Sequence, residues 1–340
     1  CLQATALVTF LPLGLLGGSL LFGPIVDRFG HKALLLLSCL VVLLGLEGIA
    51  FFTSIPLLQV SIIGIGLGGG ILNGETNALV ADISNEAEKG SRLSLLGAFY
   101  GIGALGIPVL LSFLSEYYSF EIILQGTGMV MLIGILFCLG IRFPAPKQPQ
   151  GFPIKEGLGL LKESSLLLLS FILFFQSGIE GVCNNWTTLY LGQTTGIPEN
   201  RALIALTCMV AGLTVARLLL VVLFKKIKQE TVLRTSLITA VAGFALLTFA
   251  PGFARAAIGM ALIGAGLAST FPVILSIIGS RYASLSGTAF SVALVIALIG
   301  QTLLNSLTGI ISQGYGIVVY PYMMIVSLLI MLLLFKRSLK

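Results

Sequence analysis

The chain has 340 residues, of which 57% are hydrophobic and 9% charged, and its mean hydropathy is +1.08. An ordinary soluble domain carries about 25% charged residues. The composition therefore excludes a cytosolic enzyme, a secreted disulfide scaffold, a disordered protein and a nucleic-acid reader, and leaves a helical integral membrane protein. The net charge of +6 reads as the lysines and arginines of membrane-flanking loops, not as a surface for an acidic partner.

Apolar runs predict eleven spans, at 3–23, 33–52, 57–81, 92–114, 120–141, 165–191, 201–223, 232–250, 255–280, 286–311 and 317–335. Each has close to the roughly 20 residues a spanning helix needs. The longest polar interval, 142–163, clusters Pro144, Pro146, Pro149 and Pro153. It reads as a stiff, extended linker followed by a short interfacial helix from Ile154 to Glu163. Basic residues such as Arg28, Lys32, Lys89, Lys147, Lys225, Arg281 and Lys336 fall in alternate intervals and the tail, whereas the opposite intervals hold only Arg201 and Arg255. This asymmetry puts the first set, and the C-terminus, in the cytoplasm. Residue 1 is then outside, and an additional upstream helix is expected, which would make the halves six and six. The expected organisation is a helical bundle at 1–141 lacking its first helix, a cytoplasmic linker at 142–163 and a second bundle at 164–340. The third span has Gly64, Gly66 and Gly68, and the ninth has Gly264 and Gly266. Such an echo fits parallel repeats, and equally the close packing of membrane helices.

The interval after the first span reads Gly23-Pro-Ile-Val-Asp27-Arg28-Phe-Gly30-His31-Lys32. Gly23 permits close helix contact. Asp27 is an acid at a helix C-terminus, where the macrodipole disfavours it, so it needs a positive partner or a neighbouring helix N-terminus. The segment resembles the signature loop of the major facilitator superfamily, Gly-x-x-x-Asp-Arg-x-Gly-x-Arg/Lys. The resemblance implies that Gly23, Asp27, Arg28, Gly30 and Lys32 form a gate that latches the cytoplasmic face. In the second half, Arg217 lies within the seventh span; it either snorkels to the interface or pairs with an interior acid.

Ionisable groups inside spans are functional candidates. In the third span Asn73 and Asn77 share one helix face and Glu75 lies opposite; Asp82 ends the helix, where it suits a gate or loop pairing. The segment is similar to the fourth helix of the fucose–proton symporter branch and its glucose/galactose relatives. In that branch an acid four residues before an asparagine takes part in proton coupling. Here that position is Asn73, which leaves Glu75 as the coupling candidate. In the sixth span Gln176, Glu180 and Asn184 recur every fourth residue, followed by Trp186 and Tyr190. A polar stripe of this kind is costly against lipid and reads as cavity lining or as polar contacts between helices. The run resembles the seventh helix of the same branch, in which such a stripe and an indole suit a sugar. The tenth span offers Gln301, Asn305 and Thr308 along one side, and Thr270, Pro272 and Ser276 in the ninth predict a distorted helix.

The five cysteines, Cys1, Cys39, Cys138, Cys183 and Cys208, have no metal-ligand spacing, and His31 is the sole histidine. No nucleotide-binding or nucleophile motif occurs in a suitable setting. The expected fold is all-α, the major facilitator fold of two six-helix bundles with eleven spans present. The expected activity is not enzymatic. It is proton-coupled symport of a small hydroxylated solute, a sugar, by alternating access, with Glu75 or Glu180 as the proton carrier. The substrate would be held by Asn73, Asn77, Gln176, Glu180, Asn184, Trp186, Gln301 and Asn305. Expected partners are that solute and the lipid bilayer of a bacterial inner membrane, with no cofactor or metal beyond a proton or sodium as coupling ion, no nucleic acid and a monomeric state. A drug or metabolite exporter of the same fold stays open, as does a non-transporting receptor or scaffold.

Overall fold

The computed structural model describes residues 9–148, 157, 159–249 and 252–338. Every regular element among them is helical, as a hydrocarbon environment demands of any segment that must pair its own backbone groups. In chain order the helices are α1 (Phe10–Phe29), α2 (His31–Phe51), α3 (Ile55–Asp82), α4 (Lys89–Leu114), α5 (Phe120–Gly140) and α6 (Ser164–Thr195). They continue with α7 (Glu199–Leu223), α8 (Gln229–Phe249), α9 (Phe253–Leu267), α10 (Thr270–Arg281), α11 (Ser286–Tyr315) and α12 (Tyr320–Ser338). The pair α9–α10 makes one span, so the described residues hold eleven helical stretches long and apolar enough to cross a membrane. Within spans, hydroxyls such as those of Ser170, Thr207, Thr214 and Thr308 donate to the carbonyl four residues back, at 2.7 to 3.0 Å. Polar side chains on apolar helices thus satisfy themselves.

One expectation needs correction. The first span does not end at 23: the helix runs to Phe29, and the whole expected loop reduces to a turn at Gly30, with φ 82°. Only glycine adopts that conformation without strain, so α2 starts at the next residue, His31. Expected residues 3–8 of this span lie outside the described residues. In the linker, residues 142–146 form no regular element, and the short helix expected over 154–163 falls largely outside the described residues.

The chain forms two compact units. One comprises Cys1–Ile83, Ile107–Lys162 and Gly279–Val295, the other Ser84–Gly106, Glu163–Ile278 and Ile296–Lys340. In the first unit α1 and α2 both pack on α3, and α5 packs on α2; in the second, α7 and α8 both pack on α9, and α12 on α6 and α8. The glycines explain these sandwiches. Residues two apart on a helix point about 200° away from each other. A methyl group at Gly66 would come within 3.0 Å of Gly14 Cα in α1, and one at Gly68 within 2.8 Å of Ser38 O in α2. Likewise one at Gly264 would come within 3.0 Å of Leu213 N in α7, and one at Gly266 within 2.6 Å of Ser236 O in α8. The echo between the third and ninth spans is one packing device used once in each unit.

Prolines leave carbonyls that other helices satisfy. Pro24 has no N–H to bond the carbonyl of Leu20, and Ser291 Oγ donates to that carbonyl at 2.9 Å and to Ser19 O at 2.7 Å. The expected distortion near Pro272 is a break at Ala268–Ser269. There Gln176 Nε2 donates to Leu267 O at 3.1 Å.

Candidate functional site

In the first unit the acid of the signature segment lies in a buried polar cluster. Asp27, 2% exposed, lies in the last turn of α1 and caps the first turn of α11. Its Oδ2 accepts from Thr288 N at 2.8 Å and Thr288 Oγ1 at 2.6 Å, and its Oδ1 from Gly287 N at 3.2 Å. The unpaired amides at the start of α11 are thereby satisfied, and the partial positive charge there offsets the misplacement of Asp27 at its own helix end. Gly23 makes the approach possible: a Cβ there would lie 2.6 Å from Ser291 Cβ. Gly30 supplies the turn, against Pro146. Lys32 Nζ donates to Leu139 O at 2.8 Å and Ile141 O at 3.1 Å, which ties α2 to the end of α5. Arg28 lies beside the ring of Phe29, 5.0 Å from its centroid.

Asp82 extends this cluster. Its Oδ1 accepts from Ser286 Oγ at 2.9 Å, and its Oδ2 from Lys147 Nζ at 2.7 Å. Lys147 also donates to Ser286 Oγ. The same Asp82 Oδ2 lies 3.0 Å from His31 Nε2, and His31 Nδ1 lies 2.8 Å from Glu75 Oε1. Glu75 and Asp82 are seven residues, two helical turns, apart on one face of α3, and the imidazole fills the gap between them. Glu75 is fully buried, and its other oxygen has no hydrogen-bond partner. Sequence reasoning placed Glu75 correctly opposite Asn73 and Asn77 but missed His31. Its signal was available: the sole histidine stands inside the signature segment.

Asn73 is exposed and Asn77 partly exposed; Asn77 Nδ2 donates to Asn73 O at 2.7 Å. These amides and Glu75 therefore occupy different faces of α3 and do not form one group.

In the second unit α6 and α11 flank an open hollow of about 510 Å³ lined by Asn185, Trp186, Leu189, Asn305, Ser306 and Gly309. Asn185 Nδ2 donates to Asn305 Oδ1 at 2.9 Å, and Asn305 Nδ2 to Gln301 O at 2.7 Å. The indole lies against Gly309, where a Cβ would sit in ordinary contact with it, 3.4 Å from Cζ2. Trp186 and Asn305 are thus brought together, and Asn185, next to the predicted Asn184, joins them. Asn184 and Gln301 are exposed and are not among the residues lining the hollow. Gln301 packs under Gly181, where a Cβ would lie 2.6 Å from its Cγ. Tyr190 is a core residue: its ring lies 5.3 Å from that of Tyr320.

Gln176 and Glu180 pair with each other, Nε2 to Oε1 at 2.7 Å, and Gln176 is fully buried at the α9–α10 break. Arg217 does not snorkel: it is 7% exposed, and its Nη1 donates to Gly97 O at 3.0 Å. No group of three or more potential metal ligands occurs among the described residues.

The sequence matches the Major Facilitator Superfamily over residues 2–303. It is 24% identical over 339 residues to the glucose/mannose transporter GlcP of Bacillus subtilis (strain 168), covering 91% of this chain and 81% of that protein. It is 30% identical over 163 residues to the multidrug resistance protein MdtH of Aeromonas hydrophila subsp. hydrophila, covering 47% of this chain and 39% of that protein. The fold is similar to that of the E. coli fucose:proton symporter FucP, with a TM-score of 0.85 and 18% identity over 99% of this chain and 91% of that one. With eleven membrane-length helices, a charge-capped signature segment and this match along its length, the chain belongs to the major facilitator superfamily and is a membrane transporter, not an enzyme.

Proposed function

We propose that the protein is a proton-coupled symporter that moves a small hydroxylated solute, a sugar, by alternating access. The observation that carries this reading is the hollow where the Trp186 indole stands beside the carboxamides of Asn185 and Asn305. Carboxamides both donate to and accept from hydroxyls, and an aromatic face covers the apolar C–H side of a sugar ring. The likeness to GlcP and to FucP supports the same class of solute. In this reading the halves are 1–141 and 164–340 with a cytoplasmic linker at 142–163, the membrane is a bacterial inner membrane, and the C-terminus is cytoplasmic. The coupling proton belongs to Glu75 or Glu180, and the carrier works as a monomer.

The test is uptake of a panel of labelled sugars into proteoliposomes with and without an imposed proton gradient. Gradient-dependent accumulation of one sugar is expected. Replacing Trp186 or Asn305 by Ala should then raise the half-saturating concentration about tenfold, the equivalent of about 1.4 kcal/mol. Normal uptake by both variants overturns the assignment of the hollow. A second reading, export of drugs or metabolites, draws on the partial likeness to MdtH; accumulation in inverted rather than right-side-out vesicles would favour it. Purified protein that moves no solute at all would favour a receptor or scaffold.

A further inference from the structure

We propose that His31, held between Glu75 and Asp82, carries the coupled proton, and that its occupancy sets the hold of α1 and α3 on the start of α11. This inference rests on the proton-coupled reading above. It goes beyond it by moving the proton from a lone carboxylate to a three-residue site centred on the histidine.

The geometry counts protons. Both ring nitrogens of His31 face carboxylate oxygens, at 2.8 and 3.0 Å. A neutral imidazole has one N–H, so one of those contacts would oppose two lone pairs. The arrangement is satisfied only when the group of three holds one further proton, either on the ring, which then donates on both sides, or on Glu75 Oε1, which then donates to Nδ1. That proton can pass between ring and acid along the 2.8 Å contact, while Glu75 Oε2 is buried without a hydrogen-bond partner. Proton binding is the only chemical step: one proton is taken from water and one returned, and no other bond forms or breaks.

The charges around the site give the proton its leverage. The cluster holds three carboxylates, Asp27 on α1 and Glu75 and Asp82 on α3, against one ammonium, Lys147. Lys32 is directed to the carbonyls at the end of α5, and Arg28 lies by Phe29. Protonating the ring removes one unit of negative charge from this buried group, where excess charge is costly, beside the partial positive charge of the α11 N-terminus. Asp82 is shared between His31 Nε2 and Ser286 Oγ, so loss of the ring proton frees Asp82 to redistribute between Lys147 and Ser286 at the first residue of α11. The same helix carries Asn305 and Gly309 about five turns further on.

The experiment exploits His31 being the sole histidine in the sequence. Protein labelled at both histidine ring nitrogens is placed in nanodiscs and its NMR spectrum recorded, for wild type and Glu75→Gln. Near neutral pH the wild-type ring is expected to carry protons on both nitrogens. In Glu75→Gln, Nδ1 is expected to be unprotonated, because a glutamine amide can donate to it from the same place. A ring with one proton in both proteins, or two in both, across about pH 5 to 10 overturns the proposal. In proteoliposomes, His31→Gln and Glu75→Gln are expected to lose gradient-driven accumulation by about tenfold. Accumulation at the wild-type level in both, or a loss confined to Glu180→Gln, also overturns it. If wild type itself accumulates nothing under a proton gradient, symport fails and the ring spectra alone decide the proton site. A variant that fails to fold is recognised by its thermal melt, and Glu75→Gln, which preserves shape and hydrogen bonding, then carries the test.

Discussion

Replacing Asp27 by Asn keeps its size but turns one of its acceptor atoms into a donor, facing the donors Gly287 N and Thr288 N. Hydrogen bonds to charged groups contribute about 1.5–3 kcal/mol, so the variant is expected to lose roughly that much stability, read as an earlier unfolding midpoint in detergent. Uptake should fall with it, since α11 would lose its cap. Wild-type stability in Asp27→Asn would show that the three contacts carry no net energy. The residues around it illustrate what a sequence can and cannot state. That Asp27 needs a helix N-terminus follows from its position at a helix end; that the N-terminus is that of α11, 260 residues further on, follows from nothing local. His31 escaped for a related reason. A single histidine excludes most histidine catalysis, and only the fold reveals that two acids lie on either side of it.

At the scale of elements, helix pairs meet through glycine. A methyl group at Gly66 would meet Gly14 Cα and Leu15 N, both at 3.0 Å, and these are backbone atoms that cannot yield without moving α1. A methyl group at Gly134 in α5 would meet nothing within 4 Å. Gly66→Ala is therefore expected to cost about 1–3 kcal/mol through overpacking. Gly134→Ala should be neutral or stabilising by up to about 1 kcal/mol through helix propensity. Thermal melts of the two variants in the same detergent check the contrast, and equal melts would remove close approach as the role of these glycines. The stripe of Gln176 and Glu180 belongs to this scale too. Read along one helix it looks like cavity lining, yet the carbonyl that Gln176 satisfies is freed by the break between α9 and α10. That break is legible from Pro272; the identity of the group that compensates for it is not.

At the scale of the molecule, the proposed orientation follows from the distribution of lysine and arginine. Arg337, exposed in the last turn of α12, should therefore lie on the cytoplasmic side. An Arg337→Cys variant, made in a background with the native cysteines replaced, is expected to react with an impermeant thiol reagent only in inverted or permeabilised membranes. Labelling in intact cells would reverse the topology and take the cytoplasmic latch with it. Solubility belongs to the same scale: α5 exposes Met129, Val130, Ile133 and Phe137, each at 65 to 69%, a surface suited to acyl chains and not to water.

The amino-acid sequence alone determined that the chain is built of membrane-length apolar segments, where nearly every one of those found among the described residues lies, and which segment carries the superfamily signature. Those properties depend on hydrophobic runs and charge, which are local and additive along the chain. Only the tertiary structure decided which polar groups meet. It joined His31 to Glu75 and Asp82, gave Asp27 the start of α11, and set Asn185 beside Asn305. Helical periodicity tells which residues share a face of one helix, whereas partnership across helices depends on packing between segments distant in the chain.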